Sequence, residues 1–306
     1  MAAGGHKAII AAFLANLGIA LAKFAGFFIT GASSMLAEAV HSVADSGNQG
    51  LLLLGVARAQ QPESVERPFG HGRERYFWAF IVALVLFLLG GLFAIYEGVH
   101  KLQHPSEIES VGWALGVLAL GIALEANSFR VAVKEAAVLK GDRGWWSFIR
   151  HAKTPEIPVI LLEDLGALAG LGIALVCVGI AALTGNPVWD AVGTLAIGLL
   201  LAAISIVLGI EMRSLLIGES ASLAKQAQIR ACIDGHPEVV RSAHLQTQHL
   251  GPDELLVAAK VELSPDASFY EVVRVIDEVE DQIRKAVPEA RIIYLEPDAR
   301  EKPAPT

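Results

Sequence analysis

Six apolar segments, each close to or above the length that crosses a lipid bilayer, dominate the first two-thirds of the chain. About 20 apolar residues in a helix span the hydrocarbon core, where backbone amides must be paired within the protein. The expected spans are residues 8–30, 34–57, 77–100, 111–133, 157–183 and 188–211. The sequence therefore predicts an α-helical membrane protein with six transmembrane helices.

The positions of Lys and Arg predict how these helices are oriented. The loop between spans two and three carries Arg58, Arg67, Arg73 and Arg75, and the loop between spans four and five is also basic. On the opposite side, the connections contain only Lys101. Because cytoplasmic loops carry the excess of basic residues, we expect both basic loops and both termini to be cytoplasmic. The protein is then an integral protein, expected in the cell (inner) membrane.

After Arg213 the sequence changes to the pattern of a soluble domain. Two segments alternate apolar and polar residues as strands do, and they are flanked by segments with helical spacing and by a last strand. The predicted order is α-β-β-α-β, a compact α+β unit. The expected domains are a transmembrane transport domain (1–212), a cytoplasmic α+β domain (213–298) and a disordered tail (299–306).

Ionisable residues inside the second span indicate a metal site at membrane depth. Glu38, His41, Asp45 and Asn48 follow one another at spacings of 3, 4 and 3, so they share one face of a helix. An Asp at the centre of a membrane helix costs roughly 2.5–3.5 kcal/mol on insertion scales. Imidazole and carboxylate on adjacent turns are suitable ligands for a divalent transition metal.

The fifth span adds two further carboxylates, Glu163 and Asp164. Adjacent helical residues diverge by about 100° and cannot both point squarely at one ion. We therefore interpret Asp164 as a third ligand beside His41 and Asp45. Glu163 is interpreted as a fourth ligand, a group that supports the ligands, or a proton carrier.

Other polar residues and missing motifs narrow the function. Glu125 and Asn127 in span four are interpreted as helix–helix hydrogen-bonding groups. The net charge of −8 argues against a nucleic-acid partner. The sequence contains neither a P-loop nor an HExxH motif. Transport would therefore have to be driven by an ion gradient rather than by ATP.

Three sequence motifs together resemble the cation diffusion facilitator family of zinc transporters. They are LAEAVHSVAD in span two, ERPFGHGRERYFWA before span three, and LLIGESAS before the α+β unit. The resemblance extends over residues 8–298 and is to a divergent branch similar to the mitochondrial member of the animal zinc transporters. It implies a homodimer with a cytoplasmic ferredoxin-like dimerisation domain. It also implies a transport site that takes His41 and Asp45 from span two and Asp164 from span five.

The chain departs from the family pattern at several positions. Ile160 stands where span five of the family usually carries His or Asp. In the loop before span three, His71 matches a family ligand, whereas Ser64 and Arg67 do not. In the tail, His244 matches one ligand and Glu296 replaces another, whereas Lys260 and Tyr294 fall where histidines are expected. The resemblance thus implies a tail that dimerises without bound zinc.

These observations predict a proton-coupled secondary transporter that exports a divalent metal from the cytosol, and no enzyme activity. Zn²⁺ is the expected substrate, and Mn²⁺ or Fe²⁺ also suits a site with one imidazole and several carboxylates. No cofactor is expected. The expected partners are the metal, protons, the lipid bilayer and a second copy of the chain. Two alternatives stay open: a membrane-embedded metalloenzyme, and a non-transporting partner subunit of a heteromeric transporter, which the missing ligand at Ile160 suggests.

Overall fold

The computed structural model describes residues 33–105 and 111–298, together with scattered positions between 13 and 28. The side chains of residues 33–42, of Ala44 and of Trp113 lie outside the described set. The chain divides into two compact units. One contains the residues up to Gln60 and Glu74–Arg213, and the other contains Gln61–Arg73 and the residues from Ser214 onward.

Long helices form the described part of the first unit. They are α1 (Ser33–Ala59), α2 (Glu74–Val85), a π-helical stretch (Leu86–Leu92), α3 (Phe93–Gln103), α4 (Val111–Lys140), the short α5 (Trp145–His151), α6 (Glu156–Thr184) and α7 (Val188–Ile217). The stretch from Glu74 to Gln103 runs as one continuous helix. Helices cover the predicted spans from the second to the sixth, whereas the predicted first span, 8–30, falls largely outside the described residues.

Four helices in the described part of the chain are long and apolar enough to cross a membrane. They are Glu74–Gln103, Ala114–Lys140, Glu156–Thr184 and Val188–Ile217.

Local signals set the limits of α6, since Pro155 precedes its first turn and Gly185 ends it in the left-handed conformation with φ 65°. Such a glycine satisfies the helix end at no steric cost. The following Pro187 cannot continue the helix.

Small residues let α3 and α7 cross at close range. A Cβ added to Gly98 would lie 2.7 Å from Cγ of Leu195, and one added to Gly198 would lie 2.7 Å from the backbone nitrogen of Ile95. Neither distance is compatible with a real side chain. Glycines of this kind are typical of membrane helix interfaces, where association depends on close packing rather than on a hydrophobic driving force.

A buried ion pair joins the first turns of α2 and α6. Nε of Arg75 donates to Oε1 of Glu156 at 2.5 Å, and a terminal nitrogen of the same guanidinium donates to Oε2 at 2.8 Å. The Arg75 and Glu156 side chains are only 11% and 1% exposed. Two parallel hydrogen bonds of this kind are roughly twice as strong as bonds between neutral groups. The pair fixes the lateral position of α6 against α2.

The second unit has the predicted α-β-β-α-β order. Its elements are α8 (Leu223–Asp234), β1 (Val239–Gly251), β2 (Glu254–Leu263), α9 (Phe269–Ala286) and β3 (Ala290–Asp298). The central strand β2 pairs antiparallel with β1 and parallel with β3. Alternate residues of β2 are buried (Leu255, Val257, Ala259, Val261 and Leu263). They form one core with apolar residues of α8 and α9.

The start of α9 shows how local sequence fixes this domain. The hydroxyl of Ser268 accepts a hydrogen bond from the backbone of Glu271, and the Glu271 carboxylate accepts one from the backbone of Ser268. This reciprocal arrangement is the capping box, which satisfies two amides that the helix leaves unpaired. It positions the apolar face of α9, with Val275, Val279 and Ile283, over the sheet.

The segment 61–73 belongs to the second unit although it lies between two helices of the first. Gly72 packs so closely on the end of β1 that an added Cβ would lie 2.8 Å from the carbonyl oxygen of Leu250 and 3.1 Å from Cα of Gly251. Within the segment, Ser64 and Arg67 bond to each other through their backbones and form a tight turn.

The domain boundaries predicted from the sequence stay predictions, and the predicted disordered tail lies outside the described residues.

Replacing Arg75 with Leu should destabilise the first unit, because it leaves the Glu156 carboxylate buried and unpaired. Breaking one side of a buried ion pair costs about 3–5 kcal/mol, whereas replacing both sides with apolar residues is often neutral. Thermal unfolding of the full chain in detergent should therefore show a large loss for Arg75→Leu and recovery in Arg75→Leu/Glu156→Leu.

Arg284→Leu is the matched control, since the Arg284 ion pairs with Glu280 and Asp281 lie on the solvent-exposed side of α9. Exposed pairs contribute about 0–1 kcal/mol. Equal unfolding temperatures for Arg75→Leu and the double variant would contradict the role given to the ion pair.

Candidate metal site

The polar face of α1 reaches a carboxylate of α6. Asn48 is 4% exposed, and its Nδ2 donates to Oε1 of Glu163 at 2.7 Å. Asp45 lies one turn earlier on α1 and is half-buried. Among the carboxylates that repel Glu163, Asp45 has the strongest electrostatic effect. The spacing that selected Asp45 and Asn48 from the sequence therefore does place them on the side of α1 that faces Glu163.

Glu163 and Asp164 are both buried, with exposed fractions of 6% and 4%, but they turn to different neighbours. Glu163 bonds to α1, whereas Oδ2 of Asp164 accepts a hydrogen bond from the hydroxyl of Ser128 in α4 at 3.0 Å. The strongest like-charge interaction of Asp164 is with Glu125, also in α4. This divergence follows from the 100° turn between adjacent helical residues.

One oxygen in this cluster lacks a hydrogen-bond partner among the described residues. It is Oε2 of Glu163, a buried atom. A buried carboxylate oxygen that accepts no hydrogen bond is costly, and such atoms are rare in native structures. The oxygen is thus available to a cation or a proton.

The predicted ligands are brought together only in part. Asp45, Glu163 and Asp164 interact electrostatically. Within the described residues, however, no three His, Cys, Asp or Glu side chains converge closely enough to hold a metal ion. The predicted ligand His41 lies on α1, but its side chain is outside the described set.

A second polar layer lies two turns along α6 from the carboxylate pair. Glu156 precedes Glu163 by seven residues, so the two share a face of the helix about 10.5 Å apart along its axis. Between the layers, Ile160 is 5% exposed and contributes an aliphatic side chain where the family pattern has a ligand. The acidic cluster is therefore separated from the Arg75 ion pair by apolar packing.

Sequence reasoning missed the contribution of α4. Glu125 and Asn127 were interpreted as helix–helix hydrogen-bonding groups, but Asn127 is exposed and Ser128 makes the bond to α6. The signal was present, because Glu125 and Ser128 are three residues apart and share a face, as the residues of the α1 stripe do. Serine is common at helix interfaces for packing reasons, which conceals such a signal.

The candidate positions outside the helices are not arranged as a second metal site. Lys260 donates to Oε1 of Glu296 at 2.8 Å, and it lies opposite His244 across β1 and β2. The hydrogen bond from Lys260 to Glu296 raises the pKa of Lys260 above its ordinary value. A protonated amine donates hydrogen bonds and cannot ligate a metal.

In the segment 61–73, Nδ1 of His71 is buried and accepts no hydrogen bond from the described residues.

Known proteins match nearly the whole chain. Residues 9–217 match the cation efflux transmembrane domain, and residues 222–298 match the cytoplasmic domain of cation efflux proteins. The human "Proton-coupled zinc antiporter SLC30A9, mitochondrial" is 32% identical over 261 residues, which cover 85% of this chain and 46% of the human protein.

Two further relatives come from a plant and a bacterium. "Metal tolerance protein C4" of Arabidopsis thaliana is 26% identical over 261 residues, covering 85% of this chain and 57% of that protein. "Cation-efflux pump FieF" of Klebsiella pneumoniae is 25% identical over 300 residues, which cover 97% of this chain and 94% of the bacterial protein. The chain spans about half the length of the human and Arabidopsis relatives.

The match to the transmembrane domain alone extends over more than half of the chain, and it is followed in order by the cytoplasmic domain of the same proteins. The families matched are efflux proteins rather than enzymes. The resemblance carried by the sequence motifs is thereby confirmed: the chain belongs to the cation efflux family, whose members are the cation diffusion facilitators.

Proposed function

We propose that this protein is a proton-coupled secondary transporter that exports a divalent metal, with Zn²⁺ as its expected substrate. The observation that carries the proposal is a carboxylate cluster within an apolar helix bundle, formed by the half-buried Asp45 and the buried Glu163 and Asp164. Ionisable residues at membrane depth mark ion pathways and proton relays. The names of the human and bacterial relatives, a zinc antiporter and a cation-efflux pump, support this assignment.

The transport site is proposed to consist of His41, Asp45 and Asp164, with Glu163 as a fourth ligand or as the proton carrier. Metal binding requires neutral imidazole and ionised carboxylates, so metal and protons compete for the same groups. A change in the exposure of the site from one side of the membrane to the other would then exchange one for the other. The metal is the substrate, and no resident cofactor is proposed.

The assembly and location are also proposals. A second copy of the chain is the expected partner, through the cytoplasmic domain. We expect both termini in the cytoplasm, because the basic loops lie on the same side as the termini. The cell (inner) membrane is the expected location for a chain of this organisation, although the human relative carries the word "mitochondrial" in its name.

Purified protein in liposomes tests the function directly. A pH step across the membrane should drive uptake of Zn²⁺, and a panel with Mn²⁺, Fe²⁺, Co²⁺ and Cd²⁺ would rank the metals. Turnover of a substrate without metal flux would favour a membrane metalloenzyme instead. Flux only in the presence of a second, different chain would favour a partner subunit, a reading that the aliphatic Ile160 at a ligand position would explain.

Asp45→Ala should abolish metal uptake while the protein still inserts and folds. The substitution removes a proposed ligand, and it also removes an insertion cost of roughly 2.5–3.5 kcal/mol. Flux in proteoliposomes and yield in the membrane fraction are the two measurements. Asp142→Ala is the control, because Asp142 is exposed in the turn after α4. Parental flux through Asp45→Ala would remove Asp45 from the site.

Introducing imidazole at position 160 should shift the metal ranking toward Zn²⁺. Position 160 lies one turn before Asp164 on α6, and imidazole suits Zn²⁺ better than it suits harder cations. Flux assays of Ile160→His against Ile160→Leu, which stays aliphatic, would measure the change. An active Ile160→His variant with the parental ranking would show that this position does not face the ion.

The tail, residues 213–306, should dimerise without metal, because Lys260 and Glu296 already satisfy each other where the family pattern expects ligands. Sedimentation in a chelator should show a dimer. Zinc titration calorimetry should show little binding to the parent tail and stronger binding to Lys260→His, which places a second imidazole opposite His244. Two tight zinc ions in the parent tail would contradict this expectation.

A further inference from the structure

Helix α4 lies against the carboxylate cluster along a fixed register. Ser128 contacts Asp164 through a hydrogen bond, and a Cβ added to Gly121 would lie 3.4 Å from Leu171. Gly121 precedes Ser128 by seven residues on α4, whereas its partner Leu171 follows Asp164 by seven residues on α6. The helices α4 and α6 are therefore antiparallel here, and one face of α4 follows α6 for two turns.

Glu125 lies on this face between the two contacts. It is four residues from Gly121 and three from Ser128, so all three positions point to the same side of α4. Glu125 is half-buried. Its charge acts on both Glu163 and Asp164. Carboxylates that act on one another within an apolar bundle create a negative potential, and such a potential attracts cations.

Ser128 has a different part in the cluster. Its hydroxyl occupies one oxygen of Asp164 and sets the direction of the other. Hydrogen bonds of this kind fix the orientation of metal-binding carboxylates, and their loss typically lowers metal affinity by 10–100-fold.

We propose that α4 is a third wall of the metal path, in which the charge of Glu125 attracts the cation and Ser128 positions Asp164. This inference rests on the proposed function and adds a helix to a site otherwise drawn from α1 and α6. The charge of Glu125 adds to the charges of the carboxylates on α1 and α6, and it partly offsets the loss of a ligand at the aliphatic Ile160. The same cluster becomes more acidic, and it accordingly favours divalent over monovalent cations.

Zinc titration of the full chain in detergent, followed by flux in liposomes, tests the two residues separately. Ser128→Thr keeps the hydroxyl. Ser128→Val has the same shape as Ser128→Thr but lacks the hydroxyl, so the comparison of these two variants isolates the hydrogen bond. Zinc affinity should fall by roughly 10–100-fold in Ser128→Val and stay near the parent in Ser128→Thr. In flux, Ser128→Val should raise KM for Zn²⁺ more than it lowers kcat, a split that general loosening of the helix packing would not produce.

Glu125→Gln should weaken zinc binding by on the order of tenfold or more, since it removes a charge near the ion and keeps the shape. Asn127→Ala is the control on the exposed side of α4 and should bind as the parent does. Parental affinity in Ser128→Val or in Glu125→Gln would overturn the role given to that residue. If Ser128→Val fails to fold, Glu125→Gln decides whether α4 belongs to the site.

The proposed function fails in a different way from this inference. A parent protein that neither binds Zn²⁺ nor moves any metal of the panel would overturn both. A parent that binds and transports, together with parental behaviour of both α4 variants, would overturn the third wall alone and leave the site on α1 and α6.

Discussion

Carboxylates buried among apolar helices have to be matched by donors, and this requirement organises the first unit. Glu163 is matched by Asn48, Asp164 by Ser128 and Glu156 by Arg75. Each partner lies on a different helix, so the three acids of α6 tie it to α1, α4 and α2. Glu211 of α7 is matched in the same way by Arg150 of α5, at 2.6 Å. Burial of a charge thus helps to specify which helices meet, because an acid without its donor on the neighbouring helix would be costly.

The sequence predicted the helices well because their signals are local. Apolar length located five described helices, and alternation located the strands of the second unit. The α1 stripe could also be predicted, since helical periodicity alone puts Asp45 and Asn48 on one side. The divergence of Glu163 and Asp164 followed from the same geometry. These features depend on residues close together in the chain.

Features that depend on distant pairing could not be predicted. The hydrogen bond of Asp164 goes to Ser128 in α4, 36 residues earlier. Nothing in a single sequence says which of two adjacent acids faces which neighbour. Arg75 counted as a loop charge in the orientation argument, whereas it is the buried partner of Glu156, 81 residues away. Charge counting predicts the side of the membrane on which a loop lies, but it does not predict the partner of a given charge.

The membership of residues 61–73 in the second unit makes the chain pass between the units three times, after Gln60, after Arg73 and after Arg213. Both ends of the segment are held by the helices α1 and α2, so its docking beside Gly251 is a loop closure rather than a bimolecular event. The entropy of that closure is already offset by the folding of the two helices. The helices α1 and α2 consequently lower the entropy cost of ordering the segment 61–73 in the second unit. A fragment that begins at residue 213 lacks both the segment and this contribution.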